Sequence, residues 1–305
     1  MVIIMSEKIS LSIGAAQLHF GEETAMRWAA NAGFDGVDFA LTAYGLSPAL
    51  PDIYSMDDYE LTKYFTRIKN IADDLGIEIC QSHNLSGAYT PDKEKNKELF
   101  RRAERSLKAA QIMGCPYSVV HPISTYQWGW DVPDEVMHEA NQAMYRELIP
   151  YAEEYGVIIA LESFGGVKTR GREGMDHFAD HEKMMYEYEC LDTRNKAFCF
   201  DSGHTNRATP AGFLDPASFV RYFGNRIKLL HLNDNAGTYD QHCFPGQGLI
   251  KWEEVFAALD EIGYDGYYNF ELHLVPFGMK SEAAYKFLGE YLRYFVKNKG
   301  KVTWE

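Results

Sequence analysis

An alternation of short β-rich runs with longer amphipathic stretches is the feature that most constrains the fold of this chain. It repeats eight times along 305 residues. Strands are predicted at residues 9–14, 36–39, 77–81, 117–121, 157–162, 197–201, 227–232 and 267–272. Residues 157–161 are apolar throughout, which is typical of a parallel sheet covered on both faces. Eight strand–helix units in one chain predict an α/β fold, a single (β/α)8 TIM barrel.

The alternative arrangement of such units is a doubly wound open sheet, which usually carries a nucleotide-binding loop. The chain has no G-x-G-x-x-G motif, and the glycines within residues 166–171 are followed by Arg172-Glu173 instead of Lys-Ser/Thr. No segment between the predicted elements has the composition of a linker. We therefore expect residues 1–305 to form one barrel domain, with the active site at the C-terminal ends of the strands.

Charge and cysteine content narrow the function classes. The 30 Lys and Arg residues against 44 Asp and Glu leave a net charge of −14, whereas proteins that grip phosphate backbones depend on Lys and Arg. The five cysteines form no C-x-x-C pair, so neither a disulfide framework nor a zinc ribbon is indicated. The sequence shows no signal-type N-terminus and no apolar run near the roughly 18 residues that span a bilayer. We expect a cytoplasmic protein without nucleic-acid or membrane partners.

Four acidic or imidazole residues each follow an apolar run at the end of a predicted strand: Glu162, Asp201, His231 and Glu271. Their spacing is about one strand–helix unit, so a barrel would bring all four to the same rim. One such residue alone is more often a helix cap or an ion-pair partner. Three carboxylates in a partly dry site need a compensating cation. The residues therefore predict one divalent metal ion, with Mn²⁺ favoured by the oxygen-rich donor set and Mg²⁺, Co²⁺ or Zn²⁺ as alternatives.

Further polar residues lie near the same strand ends, namely His83, His121, His204, Asp240 and His242. The first two close predicted strands, His204 lies on the turn after Asp201, and the last two lie in a glycine-punctuated loop. Each of them alone could fix a loop through hydrogen bonds. Together they predict an imidazole-rich cavity that binds substrate.

Motifs in the second half of the chain resemble those of the xylose-isomerase-like TIM barrels. That superfamily includes sugar and sugar-phosphate isomerases and epimerases, with a ketose 3-epimerase branch, and the related abasic-site endonucleases. The resemblance covers nearly the whole chain and is carried most specifically by residues 199–204 (Cys-Phe-Asp-Ser-Gly-His), 228–235 (Lys-Leu-Leu-His-Leu-Asn-Asp-Asn), 240–252 and 263–271.

The ketose 3-epimerase resemblance implies roles for individual residues. Glu162, Asp201, His231 and Glu271 would hold one divalent metal, the two glutamates would also serve as acid and base, and His204 would face the substrate. The epimerases carry an arginine shortly after the position of His231, whereas this chain has Asn-Asp-Asn-Ala-Gly at residues 233–237.

The same resemblance leaves a second interpretation open. Abasic-site endonucleases bind three zinc ions through nine residues, and this chain has similar residues at all nine positions. These are His83, His121, Glu162, Asp201, His204, His231, Asp240, His242 and Glu271. Many sugar-active relatives keep most of these residues while they bind one metal, and the net charge of −14 and the aromatic loops favour a sugar. A third interpretation is a non-catalytic sugar-binding barrel, which would predict a lost ligand or a lost base.

We therefore expect a metal-dependent isomerase or epimerase that acts on a sugar, a sugar phosphate or an inositol-derived ketone through an enediolate. Glu162 and Glu271, approaching from opposite faces, would remove and return protons. Return of the proton to the same carbon gives epimerisation, and return to the neighbouring carbon gives aldose–ketose isomerisation. The sequence leaves both reactions open, as it does a homo-oligomer.

Aromatic side chains in the second and fourth loops could stack on the C–H face of a sugar or could pack the loops. Trp128 is selected as a substrate contact, and the other aromatic candidates are Phe39, Tyr44, Tyr54, Tyr126 and Trp130. Three basic residues after the fifth strand, Lys168, Arg170 and Arg172, could form a phosphate cradle.

Overall fold

Eight parallel strands form the centre of the structure. The structure is a computed structural model, and it describes residues 7–45, 50–84, 90–169, 172–275 and 278–301. Including a separate two-stranded hairpin, the strands in chain order are β1 (Ile9–Ser12), β2 (Gly36–Ala40), β3 (Glu78–His83), β4 (Tyr117–Val120), β5 (Ile158–Glu162), β6 (Gly166–Thr169), β7 (Arg172–Met175), β8 (Lys196–Asp201), β9 (Ile227–His231) and β10 (Tyr268–Phe270). The large sheet has the order β10-β1-β2-β3-β4-β5-β8-β9, and β6 and β7 pair separately as an antiparallel hairpin.

The large sheet closes on itself between β9 and β10. The amide of Leu232 donates to the carbonyl of Asn269 over 2.8 Å, and the amide of Glu271 donates to the carbonyl of Leu232 over 3.1 Å. These two hydrogen bonds continue a parallel ladder at the ends of both strands. The predicted α/β fold, a (β/α)8 barrel, is confirmed.

Helices surround the barrel and connect its strands. They are α1 (Gly14–Phe20), α2 (Glu22–Asn31), α3 (Asp58–Leu75), α4 (Lys93–Met113), α5 (Thr125–Trp128), α6 (Asp134–Tyr155), α7 (His181–Glu189), α8 (Ser202–Ala208), α9 (Pro216–Phe223), α10 (Trp252–Glu261) and α11 (Glu282–Lys297). α3 begins with a capping box between Asp57 and Glu60, and it ends at Gly76, which has φ 65°. Across the described ranges, the helices are all too short or too polar to cross a membrane.

Small apolar side chains fill part of the barrel interior below the C-terminal rim. Val119, Ala160, Cys199 and Leu229 belong to β4, β5, β8 and β9 and pack together as a buried cluster. Because side chains alternate between the two faces of a strand, the residue two positions further along points the same way. That residue is His121, directly after β4, and Glu162, Asp201 and His231, the last residues of β5, β8 and β9. Strand alternation therefore directs four of the candidate side chains into the barrel mouth.

Four elements were not predicted, namely the helices α1, α5 and α8 and the β6–β7 hairpin. α8 follows β8 without a loop because the amide of His204 donates to Asp201 Oδ1 over 2.6 Å, which caps the helix. The predicted first and last strands, residues 9–14 and 267–272, are shorter in the structure.

Candidate metal centre

The four side chains predicted as metal ligands converge at the mouth of the barrel. One ligand atom from each of Glu162, Asp201, His231 and Glu271 lies within 4.8 Å of the others, and we call this set the central cluster. His231 Nδ1 is 3.1 Å from Glu162 Oε1 and 3.5 Å from Glu271 Oε2. The Glu271 side chain is 24% exposed, whereas the other three are buried. The central cluster is therefore exposed to solvent on the Glu271 side.

Two further groups of potential ligands flank the central cluster. The side cluster is His83, His121 and Glu162, and the loop cluster is His204, Asp240 and His242. In the side cluster, His121 Nε2 lies 2.8 Å and His83 Nε2 lies 3.9 Å from Glu162 Oε2. In the loop cluster, His204 Nε2 and His242 Nε2 each lie 3.3 Å from Asp240 Oδ2. The structure thus brings together all nine polar residues that the sequence analysis selected.

Backbone carbonyls orient the two histidines of the loop cluster. His204 Nδ1 lies 2.9 Å from the carbonyl of Ser163, and His242 Nδ1 lies 3.0 Å from the carbonyl of Glu271. In both rings the other nitrogen, Nε2, faces Asp240. Because a carboxylate only accepts hydrogen bonds, these contacts favour a hydrogen on Nε2 as well, that is, the protonated form of both rings. His242 has φ 45°, an uncommon backbone conformation for a residue with a side chain, which persists where the surroundings enforce it.

The segment after β9 is buried and holds the site together. Asn233 Nδ2 donates to Asp201 Oδ2 over 2.8 Å, so it orients one of the central carboxylates. Asp234 accepts hydrogen bonds from the backbone amide of Gly246 and from Trp252 Nε1, both over 2.9 Å. These bonds tie together the two ends of the loop that carries Asp240 and His242. Amide and carboxylate side chains of the segment after β9 therefore support the site.

One buried carboxylate at the site was missed by the sequence analysis. Asp38 on β2 lies with Oδ2 2.9 Å from His83 Nδ1 and 3.4 Å from His231 Nε2. Ser12 Oγ donates to the same oxygen over 2.7 Å. An acidic residue inside an otherwise apolar strand, Gly-Val-Asp-Phe-Ala at residues 36–40, is the signal that would have found it.

Burial and charge act against each other on the ionisable groups of the site. Burial alone would raise the pKa of Glu162, but the nearby His121 and His231 outweigh it and hold the pKa well below the usual range. Burial would lower the pKa of His231, but Cys199, Glu162 and Glu271 around the ring raise it well above the usual value. For Asp201, burial prevails and the pKa is raised. Protons on imidazoles therefore offset the charge of the carboxylates when no other cation does so.

The donor set fits a divalent ion. Glu162 Oε2 and His121 Nε2 are both buried and 2.8 Å apart, yet neither has an aligned hydrogen-bond partner among the described residues. Buried polar atoms without partners are rare in folded proteins, and an ion is one of their common explanations. The central cluster offers three carboxylates and one imidazole, a set suited to Mn²⁺ or Mg²⁺.

Most of the aromatic candidates pack within the structure. Phe39, Tyr44 and Tyr54 are buried, and the hydroxyl groups of the two tyrosines donate to Glu22 Oε1 and to the carbonyl of Leu41. Trp128 lines a cavity of about 330 Å³ between α4 and α6, with Lys93, Met144 and other residues. Trp130 packs close to Gly174 of the hairpin, where an added Cβ would come within 2.5 Å of its ring. The side chains of Tyr126, Lys168 and Arg172, and all of Arg170, lie outside the described residues.

Known proteins share both the sequence pattern and the fold. An uncharacterized protein of Methanocaldococcus jannaschii is 31% identical over 185 residues, which are 60% of this chain and 60% of that protein. Inosose isomerase of Bacillus subtilis is 25% identical over 190 residues, 59% of this chain and 62% of that enzyme. The matches therefore span less than two thirds of the length of these relatives. The crystal structure of a D-tagatose 3-epimerase-like protein superposes with a TM-score of 0.72 at 23% identity, covering 95% of this chain and 97% of that chain.

A family model gives the assignment for most of the chain. The model described as xylose isomerase-like TIM barrel matches residues 26–293, which include β2 to β10 and all nine clustered polar residues. The match agrees with the closed barrel and with the position of those residues at its C-terminal mouth. This protein belongs to the xylose isomerase-like TIM barrel family.

Proposed function

We propose that this protein is a divalent-metal-dependent isomerase or epimerase of a sugar, a sugar phosphate or an inositol-derived ketone. The observation that carries the proposal is the central cluster, in which two glutamates share one small site with an aspartate and an imidazole. The inosose isomerase and the D-tagatose 3-epimerase-like protein among its relatives support the same class of substrate. Each of those proteins is named for chemistry on a polyhydroxylated ketone.

The metal would be held by Glu162, Asp201, His231 and Glu271, with Mn²⁺ favoured. When bound, such an ion polarises a carbonyl and stabilises the charge that develops when the neighbouring carbon loses a proton. The two glutamates would move that proton, because a positioned carboxylate can act as general base and then as general acid. Glu162 ends β5 and Glu271 follows β10, two strands that are not neighbours in the sheet. That separation would let the carboxylates reach different faces of one substrate.

The remaining polar residues would bind the substrate. Asp240, with its side chain 39% exposed, and the imidazoles of His204 and His242 present hydrogen-bonding groups beside Glu271. His83 and His121 do so beside Glu162. Trp128 stays a predicted substrate contact, and its cavity between α4 and α6 would have to connect with the barrel mouth.

The proposal is tested with the metal-reconstituted protein and a panel of substrates in deuterium oxide. Tetroses to hexoses, their phosphates and inositol-derived ketones are incubated with Mn²⁺, and product formation and deuterium at carbon are followed by NMR. Glu162→Gln and Glu271→Gln keep the size of each side chain but remove the base. Each should lower kcat by about 10²- to 10⁴-fold with some metal retained, since general acid–base catalysis typically contributes that much.

Glu154→Gln is the matched control, because Glu154 is an exposed residue of α6 and its loss should leave kcat unchanged. Deuterium at the inverted carbon of the product would support the two-glutamate mechanism. Near wild-type turnover by both metal-loaded site variants would refute that mechanism. Absence of turnover and of exchange across the whole panel would refute the sugar assignment.

A three-zinc abasic-site endonuclease is the second candidate, and the side and loop clusters are the observation that favours it. We propose one tightly bound ion and no cleavage of abasic DNA, since the net charge of −14 does not favour a polyanion. Metal analysis of the purified protein and incubation with an abasic-site duplex separate the candidates. Three zinc ions per chain together with incision that Glu271→Gln abolishes would establish the endonuclease instead.

A further inference from the structure

Asp38 occupies a position that the proposed proton-transfer chemistry does not use. Its side chain is buried, and one oxygen, Oδ2, receives all three of its polar contacts. These come from Ser12 Oγ at 2.7 Å, His83 Nδ1 at 2.9 Å and His231 Nε2 at 3.4 Å. A buried carboxylate is costly unless its neighbours stabilise it, so its presence between two site histidines calls for a physical role.

The two imidazoles meet Asp38 through different nitrogens. His83 turns Nδ1 towards Asp38 and Nε2 towards the glutamates, 3.7 Å from Glu271 Oε1 and 3.9 Å from Glu162 Oε2. His231 turns Nε2 towards Asp38 and Nδ1 towards Glu162 and Glu271. The rings stack with centroids 4.6 Å apart and planes 14° apart. Asp38 therefore lies at the end of both rings that is remote from the two glutamates.

A carboxylate only accepts hydrogen bonds, so a ring nitrogen that bonds to it must carry the hydrogen. A neutral imidazole with its hydrogen on one nitrogen presents a lone pair on the other. His83 bonds to Asp38 through Nδ1 at 2.9 Å, so its Nε2 presents a lone pair to the space between Glu162 and Glu271. His231 instead bonds to Glu162 Oε1 through Nδ1 at 3.1 Å, and its Nε2 has no aligned partner among the described residues, although Asp38 Oδ2 lies 3.4 Å away. If an ion took Nδ1 of His231, the hydrogen would stand on Nε2 and face Asp38.

We infer that Asp38 is a positioning residue that holds His83 with its hydrogen on Nδ1, so that Nε2 presents a lone pair to the metal pocket, and that it would accept the hydrogen of His231 Nε2 when an ion takes Nδ1. The inference rests on the proposed metal-dependent function for its consequence, but the His83 tautomer itself is a property of the chain. Carboxylates behind metal-binding imidazoles orient the ring and raise its basicity, and their loss typically weakens metal binding about 10- to 100-fold.

His83 gives the sharper tautomer readout. Carboxylates lie near both of its nitrogens, and Asp38 prevails because it is at 2.9 Å while the glutamate oxygens are at 3.7 and 3.9 Å. Once Asp38 is removed, the glutamates are the carboxylates that remain beside the ring. The hydrogen should then move to Nε2, the tautomer that free imidazole side chains prefer, and the lone pair would be lost from the pocket.

The experiment compares Asp38→Ala, Asp38→Asn and Ser12→Ala with the unchanged chain. Ser12→Ala is the matched control, because it removes a neutral donor from the same oxygen and leaves the carboxylate in place. Two-bond ¹H–¹⁵N correlation spectra of the metal-free proteins, at a pH where the His83 ring is neutral, report which nitrogen carries the hydrogen. Chelator competition gives the Mn²⁺ and Zn²⁺ dissociation constants.

The unchanged chain and Ser12→Ala should show hydrogen on Nδ1 of His83. Asp38→Ala should show it on Nε2 and should bind metal about 10- to 100-fold more weakly. Asp38→Asn, which keeps one acceptor oxygen, should lie between them, and it replaces the alanine variant if that variant does not fold. In the zinc-loaded chain, His231 should carry its hydrogen on Nε2 and bind through Nδ1.

An unchanged His83 tautomer in folded Asp38 variants, or metal binding as tight as that of the unchanged chain, would overturn the inference. Failure of the proposed function has a different signature. In that case the unchanged chain binds no divalent ion, while Asp38→Ala still moves the hydrogen of His83 from Nδ1 to Nε2.

Discussion

Replacement of Asp234 by alanine should destabilise the protein and displace the loop that carries Asp240 and His242. The Asp234 side chain is fully buried, and its two oxygens accept four hydrogen bonds. Three of the donors lie 12 to 18 residues further along the chain, namely the amides of Gly246 and Ile250 and the indole of Trp252. One carboxylate thus closes the loop and attaches it to α10.

The size of the effect follows from these contacts. Hydrogen bonds to charged groups contribute about 1.5–3 kcal/mol each. The bonds from Gly246 and Trp252, both 2.9 Å long, together give a loss of about 3–6 kcal/mol, and water that enters the opened loop would keep the loss near the lower value. Proteins of ordinary stability have about 5–15 kcal/mol in total. The variant should therefore fold, but with a clearly reduced free energy of unfolding.

Equilibrium urea unfolding followed by far-ultraviolet circular dichroism measures this loss. Asp234→Asn keeps one acceptor oxygen and should lose about half as much as Asp234→Ala. Both variants should also bind substrate more weakly, because the loop positions the loop cluster beside Glu271. An Asp234→Ala protein that loses less than about 1 kcal/mol, with an unchanged urea slope and unchanged substrate binding, would refute the reasoning.

Three more predictions concern the metal. Gly203→Ala would place a Cβ in collision with Asn233 Oδ1, so the Asn233 side chain must move and lose its hydrogen bond to Asp201. Chelator competition should then show metal binding weakened about 10-fold or more. Because the pKa of His231 is raised in the metal-free protein, a bound proton must leave before Nδ1 can bind an ion. Metal affinity should therefore rise with pH up to that pKa, and calorimetry in buffers of different ionisation enthalpy should detect proton release; affinity independent of pH would contradict this. Mn²⁺ at about 100 times its dissociation constant should stabilise the fold by about 2.7 kcal/mol, and identical melting temperatures with Mn²⁺ and with chelator would argue against a site in the native state.

Much of the barrel and of the central cluster could be predicted because both depend on local patterns. Continuous apolar runs at the spacing of strand–helix units predicted parallel strands, and parallel strands in a closed barrel end at one rim. Glu162 ends β5 and His231 ends β9 two positions beyond an interior residue, so the alternation of side chains already placed them inward. The helix α8 was not predicted, although its cap is local: Asp201, selected only as a metal ligand, also accepts the amide hydrogen of His204, so the strand runs directly into a helix.

The amino-acid sequence by itself determined which residues could meet at the mouth of the barrel, because period-two alternation and strand ends are properties of neighbouring residues. Only the tertiary structure decided what supports them. Asp38 bonds to a histidine 45 residues away and lies beside another on β9, and Asp234 ties together donors that the loop brings back. Likewise, Tyr44 and Tyr54 were equally suited to a sugar face or a packed loop until burial placed their rings in the core. Such contacts depend on barrel closure. Two residues far apart in the chain can form a buried hydrogen bond only when the folded barrel brings them together, and the sequence around either residue does not specify this.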